Sequence, residues 1–293
     1  MIQLAVSTYS LARWRRERGK SLVQSLQWLA DNGVHGVEFS GIDEEDLSKA
    51  PRRAAALRRL CDKLNLQIHG YCIGAELLCA AQAQAEAVGQ LKRHVEVAAA
   101  LGVTHMRHDV TRGDFNAVKG HRGPKTFAAA LKMVTPAIRI VADHAAQRGV
   151  RTSLENHGFY CQAPNRVEQI IKHVNHENFG LTLDMGNFLC VNADPVAAVR
   201  QLLPWALHVH VKDFHIRSKR DLPLTGWFAT PTPIALRGAI VGHGHIDIPA
   251  QLALLRKARY DGWLSLEFEG LEDPELAIRE GLAYLANRLG ING

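Results

Sequence analysis

The stretch ALHVHVKD, residues 206–213, decides how the rest of the chain reads. Side chains alternate across a strand, so His208, His210 and Lys212 share one face while Leu207, Val209 and Val211 share the other. The aliphatic face must meet a layer of helices, which turns the two histidines and the lysine toward the inside of a sheet. The same parity recurs in three further segments. In VRTSLENHG (150–158) it places Ser153, Glu155 and His157 inward and Thr152 and Leu154 outward. In FGLTLDMGN (179–187) it places Thr182 and Asp184 inward, and in WLSLEFEG (263–270) it selects Ser265, Glu267 and Glu269. Four successive strands therefore each end in an acid or a histidine aimed at one mouth.

Working outward, short apolar β-rich runs alternate with longer Ala/Leu-rich stretches of helical period through the whole length. The strand candidates are IQLAVST (2–8), GVEFS (36–40), LQIHGYC (66–72), VTHMRHD (103–109), VRTSLEN (150–156), FGLTLD (179–184), ALHVHVK (206–212) and WLSLEFE (263–269). Between them lie helical stretches such as SLVQSLQWLADNG, PRRAAALRRLCDKLN and PAQLALLRKARYDG, several ending at plausible C-caps: Asn32-Gly33, Asn65, Gly102 and Gly149. Parallel strands need helical crossovers, and repeated units without a separate all-strand or all-helix block favour closure. The expectation is one domain over residues 1–293, a (β/α)8 TIM barrel of the α/β class. The stretch 215–247 reads as a long irregular loop after the seventh strand, at the face where barrel active sites sit.

With 293 residues, 47% hydrophobic and 22% charged, the chain can bury a sizeable core. Five cysteines without paired zinc-ribbon spacing argue against a disulfide framework or an all-thiolate metal site, so a reducing cytoplasm is expected. At the N-terminus the apolar stretch precedes the basic residues and is too short to span a bilayer; neither export nor membrane anchoring is expected. A net charge of +6 suits phosphorylated or acidic sugars as well as nucleic acid and decides nothing alone. The basic runs RWRRER (13–18) and RRAAALRR (52–59) read as solvated helix faces rather than phosphate patches.

One buried carboxylate costs several kcal/mol unless compensated, and three or four converging without a cation would be prohibitive. A divalent metal is the economical compensation. Three carboxylates and one imidazole, from Glu155, Asp184, His210 and Glu267, suit Mn2+, Mg2+ or Co2+ better than a soft all-thiolate zinc site, with Mn2+ the first expectation and Zn2+ still open. Each residue taken alone is more often a salt-bridge or cap partner than a ligand; the coincidence across four strands carries the argument.

The ordered segments LENHG (154–158), LDMGN (183–187), HVHVKD (208–213), VGHGHIDIP (241–249) and YDGWLSLEFEG (260–270) resemble the sugar isomerase/epimerase superfamily of xylose-isomerase-like TIM barrels, which also contains the family-2 AP endonucleases. The resemblance covers nearly the whole chain. It implies metal ligation by Glu155, Asp184, His210 and Glu267, with Glu155 and Glu267 as acid and base on opposite faces of a ketose and an enediolate between them. A metal on the substrate oxygens and a carboxylate on either face are what that chemistry needs. Glu38, His69, Arg107, His157, Asn187, Lys212 and His243 are then the substrate-binding candidates, with Tyr71 a further lining residue. For Arg107 and His108 the alternation is ambiguous. Lys212 and Asp213 resemble the family's rim pair, and a structural Lys–Asp ion pair accounts for them equally well. His245 would shape the rim beside His243, and Asp247 reads as the N-cap of the helix opened by Pro249.

The endonuclease branch needs extra histidines, one shortly after the sixth-strand Asp and an Asp-x-His after the seventh strand. Here Asn187 and RGAIV (237–241) stand instead, which puts a trinuclear zinc site, and a nucleic-acid substrate, in doubt. The reading is a divalent-metal-dependent sugar isomerase or epimerase. A metal-dependent lyase on a keto-polyol such as a keto-inositol is the alternative, and a non-catalytic sugar-binding or complex-subunit barrel the second. Trp227 and Phe228 are read as a partner contact, as in a homo-oligomer, or as a substrate lid.

Overall fold

The protein is described by a computed structural model, over residues 2–111, 126–222 and 225–291. Eight parallel strands close a barrel: β1 (Gln3–Ser7), β2 (Gly36–Ser40), β3 (Gln67–Ile73), β4 (His105–His108), β5 (Arg151–Glu155), β6 (Phe179–Asp184), β7 (Ala206–Val211) and, after an insertion, β11 (Trp263–Leu266). The ring runs β1-β11-β7-β6-β5-β4-β3-β2, so sequence neighbours are spatial neighbours and β11 closes onto β1. The expected (β/α)8 barrel is the observed fold.

Helices α1 (Ala12–Arg18), α2 (Leu22–Asp31), α3 (Ala50–Lys63), α4 (Ala81–Leu101), α5 (Phe127–Ala146), α6 (Pro164–Val174), α7 (Pro195–Leu202), α8 (Ile248–Lys257) and α9 (Pro274–Leu289) surround it. Their limits follow local chemistry. Ser21 and Gln24 form a reciprocal capping box on α2, and Asp194, Asp247 and Asp273 cap α7, α8 and α9 just before a proline in the first turn. Asp247 is thus the cap expected. Gly33, Asn65, Gly102 and Gly149 take the left-handed conformation that stops each helix and feeds the next strand.

The outward faces of the strands, including Leu154, Leu181, Leu183, Val209, Val211, Leu264 and Leu266, are fully buried against the helices. The inward faces are polar yet equally buried. His105 Nε2 lies 2.8 Å from Ser153 Oγ, which lies 2.8 Å from Thr182 Oγ1, and Ser265 Oγ meets His69 Nε2 at 3.0 Å. Hydrogen bonding on this scale is what allows polar side chains to fill a barrel interior.

The stretch 215–247 departs from the irregular loop expected. β8 (Asp213–Ser218), β9 (Phe228–Ala229) and β10 (Ile234–Ala239) form a three-stranded antiparallel sheet in the order β8-β10-β9, Phe214 facing Gly238 and Ile216 facing Leu236. The prolines, glycine and threonines of the connecting run concealed the pairing, because the β8–β10 partners are 16 to 26 residues apart and leave no local period to read, and β9 is only two residues long. Helix α5 carries Pro136 inside it. All five cysteines are buried and free, and no described helix is long and apolar enough to cross a membrane.

Candidate metal centre and active site

β5, β6, β7 and β11 are consecutive in the ring, so Glu155, Asp184, His210 and Glu267 converge at one mouth. One ligand atom from each lies within 4.8 Å of the other three, and all four residues are buried. Around one ion with bonds of about 2.1 Å, octahedral donors sit roughly 3.0 to 4.2 Å apart. Small side-chain adjustments therefore suffice to enclose a cation.

His210 is prepared for that role on both ring nitrogens. Its Nε2 lies 3.0 Å from Glu38 Oε2, which fixes the hydrogen there and leaves the lone pair on Nδ1. Nδ1 has no hydrogen-bond partner and faces Glu155 Oε1 at 3.6 Å, Glu267 Oε1 at 3.6 Å and Asp184 Oδ2 at 4.0 Å. Asp184 is divided the same way. Its Oδ1 accepts the N–H groups of Gly186 at 2.8 Å and Asn187 at 2.7 Å, while its buried Oδ2 is left to the Lys212 ammonium at 3.2 Å and to the cluster. An imidazole nitrogen without a partner and a carboxylate oxygen met only by the Lys212 ammonium, among three carboxylates and an imidazole, fit a divalent cation of the oxygen-preferring or borderline kind.

The electrostatics report the same excess of negative charge. Burial works to raise the Glu155 carboxyl, but Arg107 and His210 hold it well below the usual range. Glu38 is lowered likewise, against its own burial, by His210 and His208. Asp184 is pushed up to about 6, by burial first and then by Glu155 and Glu267, against the opposing pull of Lys212. His210 is raised well above its ordinary value despite burial, by Glu38, Glu267 and Glu155. Lys212 is raised too, its Nζ 2.8 Å from Glu267 Oε2 and 3.2 Å from Asp184 Oδ2.

Above the cluster opens a cavity of about 400 Å3, lined in part by Glu155, Glu267, Arg107, His157, Asn187 and Lys212. Arg107 resolves the ambiguity on β4: its guanidinium pairs with Glu155 and with Asp109, while His108 packs at 6.1 Å from Phe179 on the helix side. Asn187 donates to Glu155 Oε1 at 2.9 Å. His157, nearly half exposed, holds Asp109 through Nδ1 at 3.1 Å.

Other expected contacts are not brought to the cavity. Glu38 lies beneath it, 2.9 Å from His208 Nε2, and is fully buried, which makes it a holder of the two histidines rather than a group open to substrate. His69 is stacked on Trp263, 4.9 Å between centroids, and Tyr71 points outward, its hydroxyl 2.8 Å from His94 Nδ1 on α4. The cause is a register shift where β3 pairs with β2: Val37 faces Ile68 but Glu38 faces Gly70, so His69 is the extra residue, and Cys72 rather than Tyr71 reaches the cavity. His243 and His245 are exposed and outside the residues lining the cavity. Nor do Lys212 and Asp213 pair with each other. Lys212 turns to the carboxylates, and Asp213 accepts the backbone N–H groups of Phe214, Gly242, Gly244 and Ile246 at 2.8 to 3.1 Å. That explains the glycine in GHG, because a Cβ on Gly244 would sit 2.1 Å from Asp213 Oδ1.

Alternation gave no hint of Asn156, whose amide accepts the Asp184 N–H at 2.8 Å and donates to the Asp184 carbonyl at 2.9 Å, locking the end of β5 to that of β6. Asp109, Gln162, Tyr9 and Phe159 were missed as well. Phe159 is the one with a backbone signature, φ 42° after Gly158 at φ 77°, an uncommon conformation for a bulky residue beside a cavity.

Residues 26–288 match the family described as xylose isomerase-like TIM barrel. The chain belongs to that family. Solved structures of similar shape include the IolI protein with a bound zinc atom, at TM-score 0.75 and 17% identity over 99% of this chain and 98% of that one. The probable 3-DHS dehydratase AsbF from Bacillus anthracis superposes at 0.74, 18% identical over 98% of this chain and all of the other. The 3-keto-D-glucoside 4-epimerase YcjR from E. coli superposes at 0.72, 16% identical over 98% and 100%. Nothing among the curated proteins matches the sequence.

Proposed function

We propose that this barrel is a divalent-metal-dependent isomerase or epimerase of a sugar or sugar derivative, moving a proton on a carbon beside a carbonyl through an enediolate. The observation that carries this reading is that Glu155 and Glu267, on the strands flanking the Asp184 and His210 strands, line one cavity together. Carboxylates reaching a substrate from two sides supply a base for proton removal and an acid for its return. A divalent cation held by Glu155, Asp184, His210 and Glu267, with Mn2+ the first candidate, would polarise the carbonyl and lower the cost of the enediolate charge. Lys212, 2.8 Å from Glu267, places a second positive charge beside the developing oxyanion and keeps Glu267 oriented. Arg107 and Asn187 together hold both oxygens of Glu155, so its direction is set before substrate enters. Asn187, His157 and Lys212 are assigned to substrate hydroxyls.

The test is deuterium wash-in from solvent, followed by NMR, over ketoses, keto-acids and keto-inositols with Mn2+, Mg2+, Co2+ or Zn2+ restored to chelator-treated protein. Metal-dependent exchange at a carbon beside the carbonyl, with the carbon skeleton and its hydroxyls retained, is the expected result. Exchange accompanied by loss of water would reassign the protein as a dehydratase, and no exchange in any member would overturn the proton-transfer reading.

A further inference from the structure

Behind the wall of the main cavity lies a second one, of about 180 Å3, and the two share Tyr9 and Glu269. The two shared residues are joined by a hydrogen bond, from the Tyr9 hydroxyl to Glu269 Oε2 at 2.9 Å, and Tyr9 is 39% exposed. The far wall carries Arg13 and Arg16, three residues apart on α1 and so on one face, while Phe268 and Pro274 supply apolar sides.

These two arginines belong to the run RWRRER. The other two of that run are committed to acids elsewhere: Arg15 pairs with Asp43 at 2.7 Å, and Arg18 pairs with Asp273 and with Glu275. Arg13 reaches Glu17 at 3.2 Å and the Glu272 carbonyl. Arg16 has no acid partner among the described residues. At the main cavity the contrast is plain, since Arg107 and Lys212 are both bound to carboxylates of the metal cluster and neither is free to receive an anionic substituent.

We infer that the Arg13–Arg16 cavity is an oxoanion subsite, taking the terminal phosphate or carboxylate of a polyol whose reacting end lies over the metal cluster. Guanidinium groups match such anions as a planar fork, and Arg16 brings one that has no acid partner among the described residues to the same cavity as Arg13. Access from the main cavity would require Tyr9 to turn off Glu269, whose carboxylate lines both cavities. The inference rests on the sugar or polyol reading for the identity of the chain attached to the anion, and the anion site itself does not.

The experiment is isothermal titration of inorganic phosphate, sorbitol phosphate, gluconate and sorbitol into the full-length metal-loaded protein and into Arg16→Gln and Arg13→Gln. The expected result is phosphate binding that weakens about tenfold in Arg16→Gln, the loss of one charge-assisted contact. Sorbitol phosphate or gluconate should exceed sorbitol by a similar factor, whichever is stronger naming the natural anion. An inorganic phosphate affinity that is undetectable, or unchanged in Arg16→Gln, overturns the subsite. Arg16-dependent phosphate binding in a protein that washes deuterium into no sugar derivative would instead leave the subsite standing and remove the proton-transfer reading.

Discussion

His210 gives its two ring nitrogens to opposite partners, Nε2 to Glu38 and Nδ1 to the carboxylate cluster, and the consequences can be measured one residue at a time. Glu38→Gln keeps the shape but removes the charge that fixes the imidazole. The expected cost is roughly 10- to 100-fold in metal affinity with the fold retained, read by competition with a chelating dye. Glu155→Gln and Glu267→Gln are each expected to abolish turnover while far-UV circular dichroism stays unchanged; an active Gln variant at either position removes that residue from the acid/base pair. Protons compete with the cation at Asp184, pushed up to about 6, and at His210, raised well above its ordinary value. Both must be deprotonated to ligate, so affinity should fall as pH drops through 6 and keep rising above 7. A metal affinity flat between about pH 5 and 8 would contradict the ligand set.

At the scale of elements, the mouth is held by side chains bonded to backbone. Asp213 gathers four N–H groups from the start of β8 and from the 242–246 loop, so the small antiparallel sheet and the loop before α8 are tied to one carboxylate. Asp213→Ala leaves those donors without a partner. A loss of about 2 to 4 kcal/mol is expected, together with faster proteolytic nicking in the loop, because each orphaned buried donor costs about 1 to 3 kcal/mol and water recovers part of it. Phe228 of β9 lines the main cavity and packs edge-on against Phe214 at 5.8 Å, while the guanidinium groups of Arg217 and Arg237 lie 5.5 and 5.6 Å from the Trp227 ring centroid. The sheet that replaced the expected irregular loop thus forms part of the cavity wall.

For the whole molecule, the cluster is a ligand-linked source of stability. The folded state presents four converging donors and the unfolded chain presents none, so bound metal shifts the folding equilibrium by mass action. At a free concentration 100 times the dissociation constant the gain is about 2.7 kcal/mol, which for a chain of this size raises the melting temperature by roughly 4 °C. Scanning calorimetry before and after chelation checks this, and equal melting temperatures would mean that the four side chains do not hold an ion.

The sequence by itself determined the barrel and the convergence of Glu155, Asp184, His210 and Glu267, because both rest on short-range periods: alternation along a strand and capping at helix ends. Tertiary structure alone decided what periodicity does not encode. The four-residue β4 has no aliphatic face to orient it, so only the carboxylate of Glu155 shows that Arg107 faces inward. An extra residue in β3 reversed the parity after His69 and sent Tyr71 to the helices. Asn156, Asp109 and Tyr9 act through partners 28, 48 and 260 residues away, and contacts at that separation exist only once the ring has closed.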